Sequence, residues 1–252
     1  MKPQLPLISV KWSGVCTAAL VLAGCASTGD NPTTAEGGAG GAMNQPTRVK
    51  LADGRNVDIG QASRAPGGGI NYKNPHLDKC WLADGFDFSG YDTLYIAPTE
   101  STAKFNPKDE GPPLELAKQN LVIELERYLS THNMFSNVVT KETDIKPGAR
   151  VLKLQNTIIE YSKGGGAARY FAGLYGAGQP NLRVRGVMET FGGGGKGALF
   201  SYEARRSGTS AGARMTGAFM KDTDIQLEDI RSMVLDLTDF MAIVAKKAPL
   251  RQ

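Results

Sequence analysis

Val151-Leu-Lys-Leu-Gln-Asn-Thr-Ile-Ile-Glu-Tyr161 decides the fold class of this chain. Apolar and polar residues alternate along its first half, the period of a strand with one face on a core. Downstream, Leu182–Phe191 and Ala198–Arg206 read as two further strands, joined by Gly192-Gly-Gly-Gly-Lys-Gly197. Upstream, Thr93-Leu-Tyr-Ile-Ala97 is a strand closed by Pro98, and Val138-Val139 is a short strand candidate. Leu114, Ala117, Leu121, Leu125, Tyr128 and Leu129 recur at helical spacing behind Pro112-Pro113, and Asn133 closes that helix. A last helix carries Ile230, Val234, Leu237, Met241 and Val244 on one stripe, and Thr223-Asp-Ile-Gln226 matches a capping box at its start. The order β-α-β-β-β-α, with two amphipathic helices, predicts an α+β two-layer sandwich with a mostly antiparallel sheet. This domain is expected over residues 86–248. Residues 49–85 read as a short hairpin, with Asp53-Gly54 at its turn, followed by an irregular Gly/Pro-rich stretch over Gln61–Asn74.

The N-terminus is of another kind. Lys2 and Lys11 precede Trp12–Gly24, an uncharged, mostly apolar run of 13 residues. That fits the core of an export signal and falls short of the roughly 18 residues a membrane-spanning helix needs. The run ends in Leu22-Ala23-Gly24-Cys25, which resembles the lipobox of bacterial lipoproteins. The resemblance implies a signal peptide over residues 1–24, cleavage between Gly24 and Cys25, and diacylglyceryl and acyl chains on Cys25. Two or more such chains hold a protein firmly on a membrane, at about 0.8 kcal/mol per buried CH₂. Ala26 follows the cysteine, where Asp would favour inner-membrane retention. The expected place is therefore the outer membrane, facing the periplasm. Residues 25–48 read as a flexible tether of Ser, Thr, Gly, Asn, Pro and Ala.

Between the second and third long strands lies Gly164-Gly-Gly-Ala-Ala-Arg169-Tyr-Phe-Ala-Gly173-Leu-Tyr-Gly176-Ala-Gly178, followed by Leu182-Arg-Val-Arg-Gly-Val-Met. This pattern resembles the glycine-rich signature of the bacterial lipoprotein family called domain-of-unknown-function 4410, over roughly Phe88–Lys246. Leu129-Ser-Thr-His-Asn-Met-Phe135 also resembles a phrase of folds similar to the TolB N-terminal domain. The resemblance implies a periplasm-facing lipoprotein domain and carries no catalytic residues with it. Arg169, Tyr170, Phe171, Gly173, Tyr175, Gly176 and Gly178 make this loop the candidate contact site. The alternative is a set of glycine turns whose aromatics fold back on the sheet.

Composition narrows the function further. Discounting Lys2 and Lys11 from the 29 basic residues leaves 27 against 25 acidic ones, too balanced for a nucleic-acid binder. Of Cys16, Cys25 and Cys80, only Cys80 is left for the mature domain, either buried or paired with another chain. His76-Leu-Asp-Lys-Cys80 is too sparse for zinc, since His76 and His132 are the only histidines. No metal or cofactor is expected. Gly173–Gly178 has the wrong glycine order for a dinucleotide loop. Lys196 lacks the Ser or Thr that a phosphate loop needs. Asp84, Asp87 and Asp92 read as turn residues. Arg183, Arg185, Arg205 and Arg206 read as a basic sheet face toward solvent. The reading is a non-enzymatic envelope adaptor or assembly domain, held to the membrane through Cys25, with an envelope protein partner and homo-oligomers as a further prospect. The alternatives are an envelope enzyme using Cys80 with His76, and an oligomerising or membrane-contacting module built on the glycine loop.

Overall fold

The computed structural model describes residues 48–50, 56–58, 60–102, 105, 111–165, 178–193, 197–207 and 221–245. All belong to one of the two units into which the chain divides, residues 40–252. Strands β1 (Arg48–Lys50) and β2 (Asn56–Asp58) pair antiparallel, while Asp53-Gly54 lies outside the described residues. The main sheet follows: β3 (Gln61–Arg64), β4 (Ile70–Lys73), β5 (Lys79–Leu82), β6 (Thr93–Ile96) and β7 (Glu100–Ser101). Then come helix α1 (Pro112–Thr131), β8 (Asn137–Val139), β9 (Val151–Ser162), β10 (Asn181–Thr190), β11 (Phe200–Arg206) and helix α2 (Asp222–Val244). The spatial order is β3-β4-β5-β11-β10-β9-β6-β8, with β7 also on β9.

Among the described residues the protein is therefore α+β, with an open nine-stranded sheet and two α-helices. The sheet is mixed, which corrects the expectation of a mostly antiparallel one. From β9 through β10, β11, β5, β4 and β3 every pairing is antiparallel, whereas β6 runs parallel to both β9 and β8. The physical reason is α1. It carries the chain back across the sheet before β8 and β9 begin, and a crossover helix makes flanking strands parallel.

Residues 61–74 are not irregular. The sheet reaches back to Gln61, ahead of the Phe86 start read from the sequence. Ala62 and Tyr72 are the core-facing residues of β3 and β4, so their strand pattern is faint. Their turn depends on Gly69, at φ +83°, where a Cβ would sit 2.5 Å from the Leu82 carbonyl oxygen. The capping box is also absent. Helix α2 begins at Asp222 after Lys221, with no side-chain cap, so Thr223 is already inside the first turn. Gln226 instead turns inward and accepts a hydrogen bond from the Tyr161 hydroxyl at 3.2 Å.

One continuous core joins both helices to one face of the sheet. Leu121, Leu125 and Leu129 of α1 and Val234, Leu237 and Met241 of α2 pack with Leu94, Ile96, Leu152, Leu154, Ile158, Val184 and Met188. A register shift between Arg183 and Val184 adds one residue to β9, and the bulge keeps both Tyr161 and Leu182 on the core side. Asn133, at φ 51°, ends α1 in the left-handed conformation that asparagine tolerates. Among the described residues, the other face carries a small cluster of buried apolar side chains at its β6 end, Tyr95, Ala97 and Val151.

Candidate functional site

The sheet's two faces are built from the same strands by alternation. On the helix-covered face one row crosses five strand pairs in register: Asn156, Gly186, Tyr202, Cys80, Tyr72 and Ala62. The Tyr202 hydroxyl reaches over Gly186 to donate to Asn156 Oδ1 at 2.7 Å. A Cβ on Gly186 would lie 2.0 Å from the Tyr202 ring, so this position needs glycine for space. Phe240 of α2 closes the row, edge-on to Tyr72 with ring centroids 5.3 Å apart.

Cys80 belongs to that row. It is 2% exposed, and burial pushes its thiol up to about 12. A nucleophilic cysteine needs the thiolate near neutral pH. His76 lies on an exposed loop and uses its backbone carbonyl to accept from Arg206 Nη1 at 3.0 Å. The geometry thus gives Cys80 the packing role and Leu82 the same, while Trp81 turns to the opposite face.

That opposite face holds the candidate site. Glu203, with its side chain 7% exposed, sits at the centre of a lattice of cations. Its Oε1 accepts from Arg185 Nε at 2.9 Å and Nη2 at 2.6 Å, and its Oε2 accepts from Arg183 Nη2 at 2.8 Å. Lys79 Nζ stands 3.5 Å from Oε2. Arg183 also donates to Glu160 at 2.9 Å, and Arg205 Nη2 lies 3.6 Å from Glu160. Burial pulls the Glu203 carboxyl upward, but the Arg185 hydrogen bonds and the charges of Lys79, Arg185 and Arg183 outweigh it and hold it below the ordinary range. Glu160 is lowered mainly by its bond from Arg183.

The basic face expected from the arginines is only partly as read. Arg183, Arg185 and Arg205 lie on it, neutralised in part by Glu160, Glu203 and Asp78. Arg206 does not. Strand alternation turns it to the helix side, where it is buried and paired with Asp236 of α2. Glu203 and Glu160 had no place in the sequence reading; their spacing opposite arginines on neighbouring strands becomes visible only with the register.

Beside the lattice runs a trough of about 550 Å³ over β3, β4, β5, β11 and β10. Trp81 sits on its floor, half-buried, with Nε1 donating to the Gly68 carbonyl at 3.0 Å. Asp87 does the turn work expected of it, whereas Asp84 and Asp92 bridge segments distant in sequence. Asp84 accepts from the Gly69 N–H and from Arg64, Asp87 accepts from the Ser89 N–H, and Asp92 accepts from the Arg150 N–H and from the Thr93 hydroxyl. The backbone bond from Gly69 lowers the Asp84 carboxyl, and that from Arg150 lowers Asp92.

Among the residues of the glycine-rich contact loop, Gly178 lies at its stem. Gly165 N–H donates to the Gly178 carbonyl at 2.9 Å, which ties the two ends of the loop together. Arg169, Tyr170, Phe171, Gly173, Tyr175 and Gly176 lie outside the described residues, as do Gly24 and Cys25. None of the described helices is long and apolar enough to cross a membrane.

No family model matches the chain, and no curated protein matches it. Several solved structures are similar to it at low identity. The PelC dodecamer from Paraburkholderia phytofirmans is 13% identical, with 62% of this chain and 95% of that chain covered and a TM-score of 0.38. Protein XCC0632 from Xanthomonas campestris, of domain-of-unknown-function family 330, is 10% identical over 66% of this chain and 91% of its own, with a TM-score of 0.36. The hypothetical protein CT253 from Chlamydia trachomatis is 13% identical over 61% and 94%, with a TM-score of 0.32. Likeness at this level carries no functional argument.

Proposed function

We propose that the chain is a lipid-anchored, periplasm-facing lipoprotein whose α+β domain binds an envelope partner rather than transforming a substrate. The lipobox-like Leu22–Cys25 supports the anchor, and Ala26 favours the outer membrane. The domain-of-unknown-function 4410 resemblance points to the same compartment. The observation that carries the binding reading is the open sheet face. Glu203, the carboxylate at its centre, is bonded through both oxygens to arginines, which suits a rigid recognition surface and not a proton-transferring acid or base.

Two measurements test this reading. Metabolic palmitate labelling of cells carrying the wild-type chain and Cys25→Ala should label only the wild type. The variant should leave the membrane fraction. Crosslinking of intact envelopes should then return a second protein with the anchored chain. Label retained by Cys25→Ala overturns the anchor, and crosslinks that return the monomer alone overturn the adaptor.

A further inference from the structure

The trough is made of two adjacent rows of side chains that cross the strands in register. One row is uncharged: Ser63, Asn71, Trp81, Ser201 and Val187, each opposite the next on the neighbouring strand. The other lies two residues along each strand and is charged. Lys79 faces Glu203, and Glu203 faces Arg185, while Lys73 continues the row on β4. The floor spans four inter-strand steps of about 4.8 Å, roughly 19 Å in all, the length of about six extended residues.

We propose that this trough binds an extended acidic peptide segment of a partner protein. The segment lies across the strands, with its carboxylates on the row of Lys73, Lys79 and Arg185 and an apolar side chain on Trp81. The proposal rests on the reading of the domain as a binding module and names the chemistry of its partner.

Charge and hydrogen-bonding capacity both point to this occupant. Lys79 and Arg185 are 71% and 54% exposed, whereas the carboxylate between them is 7% exposed. The exposed cations of the trough, Lys73, Lys79 and Arg185, thus outnumber its exposed carboxylate, Asp78, which is 44% exposed and lies 3.9 Å from Arg183. Arg185 gives Nε and Nη2 to Glu203, and its Nη1 takes no part in those bonds. Together with the two ammonium groups and the Ser63 and Ser201 hydroxyls, the trough is rich in donors and fits a ligand rich in acceptors. Carboxylates and peptide carbonyls are such acceptors. A bilayer fits less well. The indole is held by the Gly68 carbonyl, and a Cβ on Gly69 would lie 2.7 Å from Nε1, so the ring is packed down and cannot swing into lipid.

The test uses the full-length protein in detergent and a fluorescent peptide of about eight residues, alternating Glu and Leu, long enough to cross the trough. The Glu peptide should bind, and the Gln version should bind at least about tenfold more weakly. Binding should fall as salt rises. Lys73→Glu with Lys79→Glu should weaken it about tenfold or more, and Ser201→Phe, which fills the floor without altering charge, should weaken it as well. Equal binding of the two peptides overturns the proposal. So does indifference to both variants. Stronger binding to oligogalacturonate or to phosphatidylglycerol vesicles than to the Glu peptide overturns the assignment to a protein partner. If envelope crosslinks persist in the Lys73→Glu, Lys79→Glu variant, the binding module stands and the trough as its site falls.

Discussion

The two faces of the sheet come from the same strands and do opposite work. Along β10, Leu182, Val184, Gly186 and Met188 point to the helices, while Arg183, Arg185 and Val187 point away. On the helix side, two side-chain pairs stand out within the apolar packing: Tyr202 with Asn156, and Arg206 with Asp236. On the open side the order is set by charge, with one buried carboxylate holding cations in place. The difference shows where stability and recognition are divided in this molecule. The helix side contributes burial free energy, and the open side holds exposed donors in a fixed pattern.

The largest break in this comparison comes from the helix side. Asp236→Ala strands the buried Arg206 guanidinium and should cost about 3–5 kcal/mol in urea unfolding. Arg206→Met with Asp236→Leu should recover much of that loss, because the uncompensated charge is gone. Next, Gly186→Ala pushes a methyl into the Tyr202 ring and should cost about 1–3 kcal/mol. Adding Tyr202→Leu should be less than additive, since both changes act on one clash.

Smaller effects come from the open side. Glu203→Gln weakens charge-assisted bonds to Arg183 and Arg185 and should cost about 1–3 kcal/mol at neutral pH. It should also flatten the acid limb of stability. Glu203, Glu160, Asp84 and Asp92 are all held below the ordinary carboxylate range. Their contribution is present above the unfolded value and is lost as pH falls through the folded one, so the wild type should weaken in acid and the variant less so. Lys79→Gln sits at the small end: it gives up one exposed ion pair to Glu203 and should cost about 0.5 kcal/mol, yet it should impair peptide binding. Cys80 sharpens the contrast between faces chemically. Its thiol should resist alkylation in the native protein at mildly alkaline pH and react only on unfolding.

How far each face could be read from residues alone differs in the same way. The helix-covered face was legible where the strands are long: Val151–Tyr161 reads as a strand and forms one, as β9. The stripe of α2 was legible too, though Gln226, Asp229 and Asp236 are buried beside it, which no amphipathic count would place inside. Strands β3 to β5 were not legible as one piece. Short and polar, they owe their existence to pairing with β11, a contact more than a hundred residues away in sequence. Arg205 and Arg206 illustrate the limit well. As neighbours on a strand they must face opposite sides, but which side each takes depends on the register.

By itself the sequence determined the local matters: the long strands and the two helices. Each follows from spacing within a few residues, because backbone sterics and side-chain period act locally. Only the tertiary structure decided that the sheet is mixed, that Cys80 lies in the core, and that Lys79, Glu203 and Arg185 form one row beside Trp81. Those are relations between distant segments. They arise when strand pairing fixes register, and a shift of one residue would send every one of these side chains to the other face.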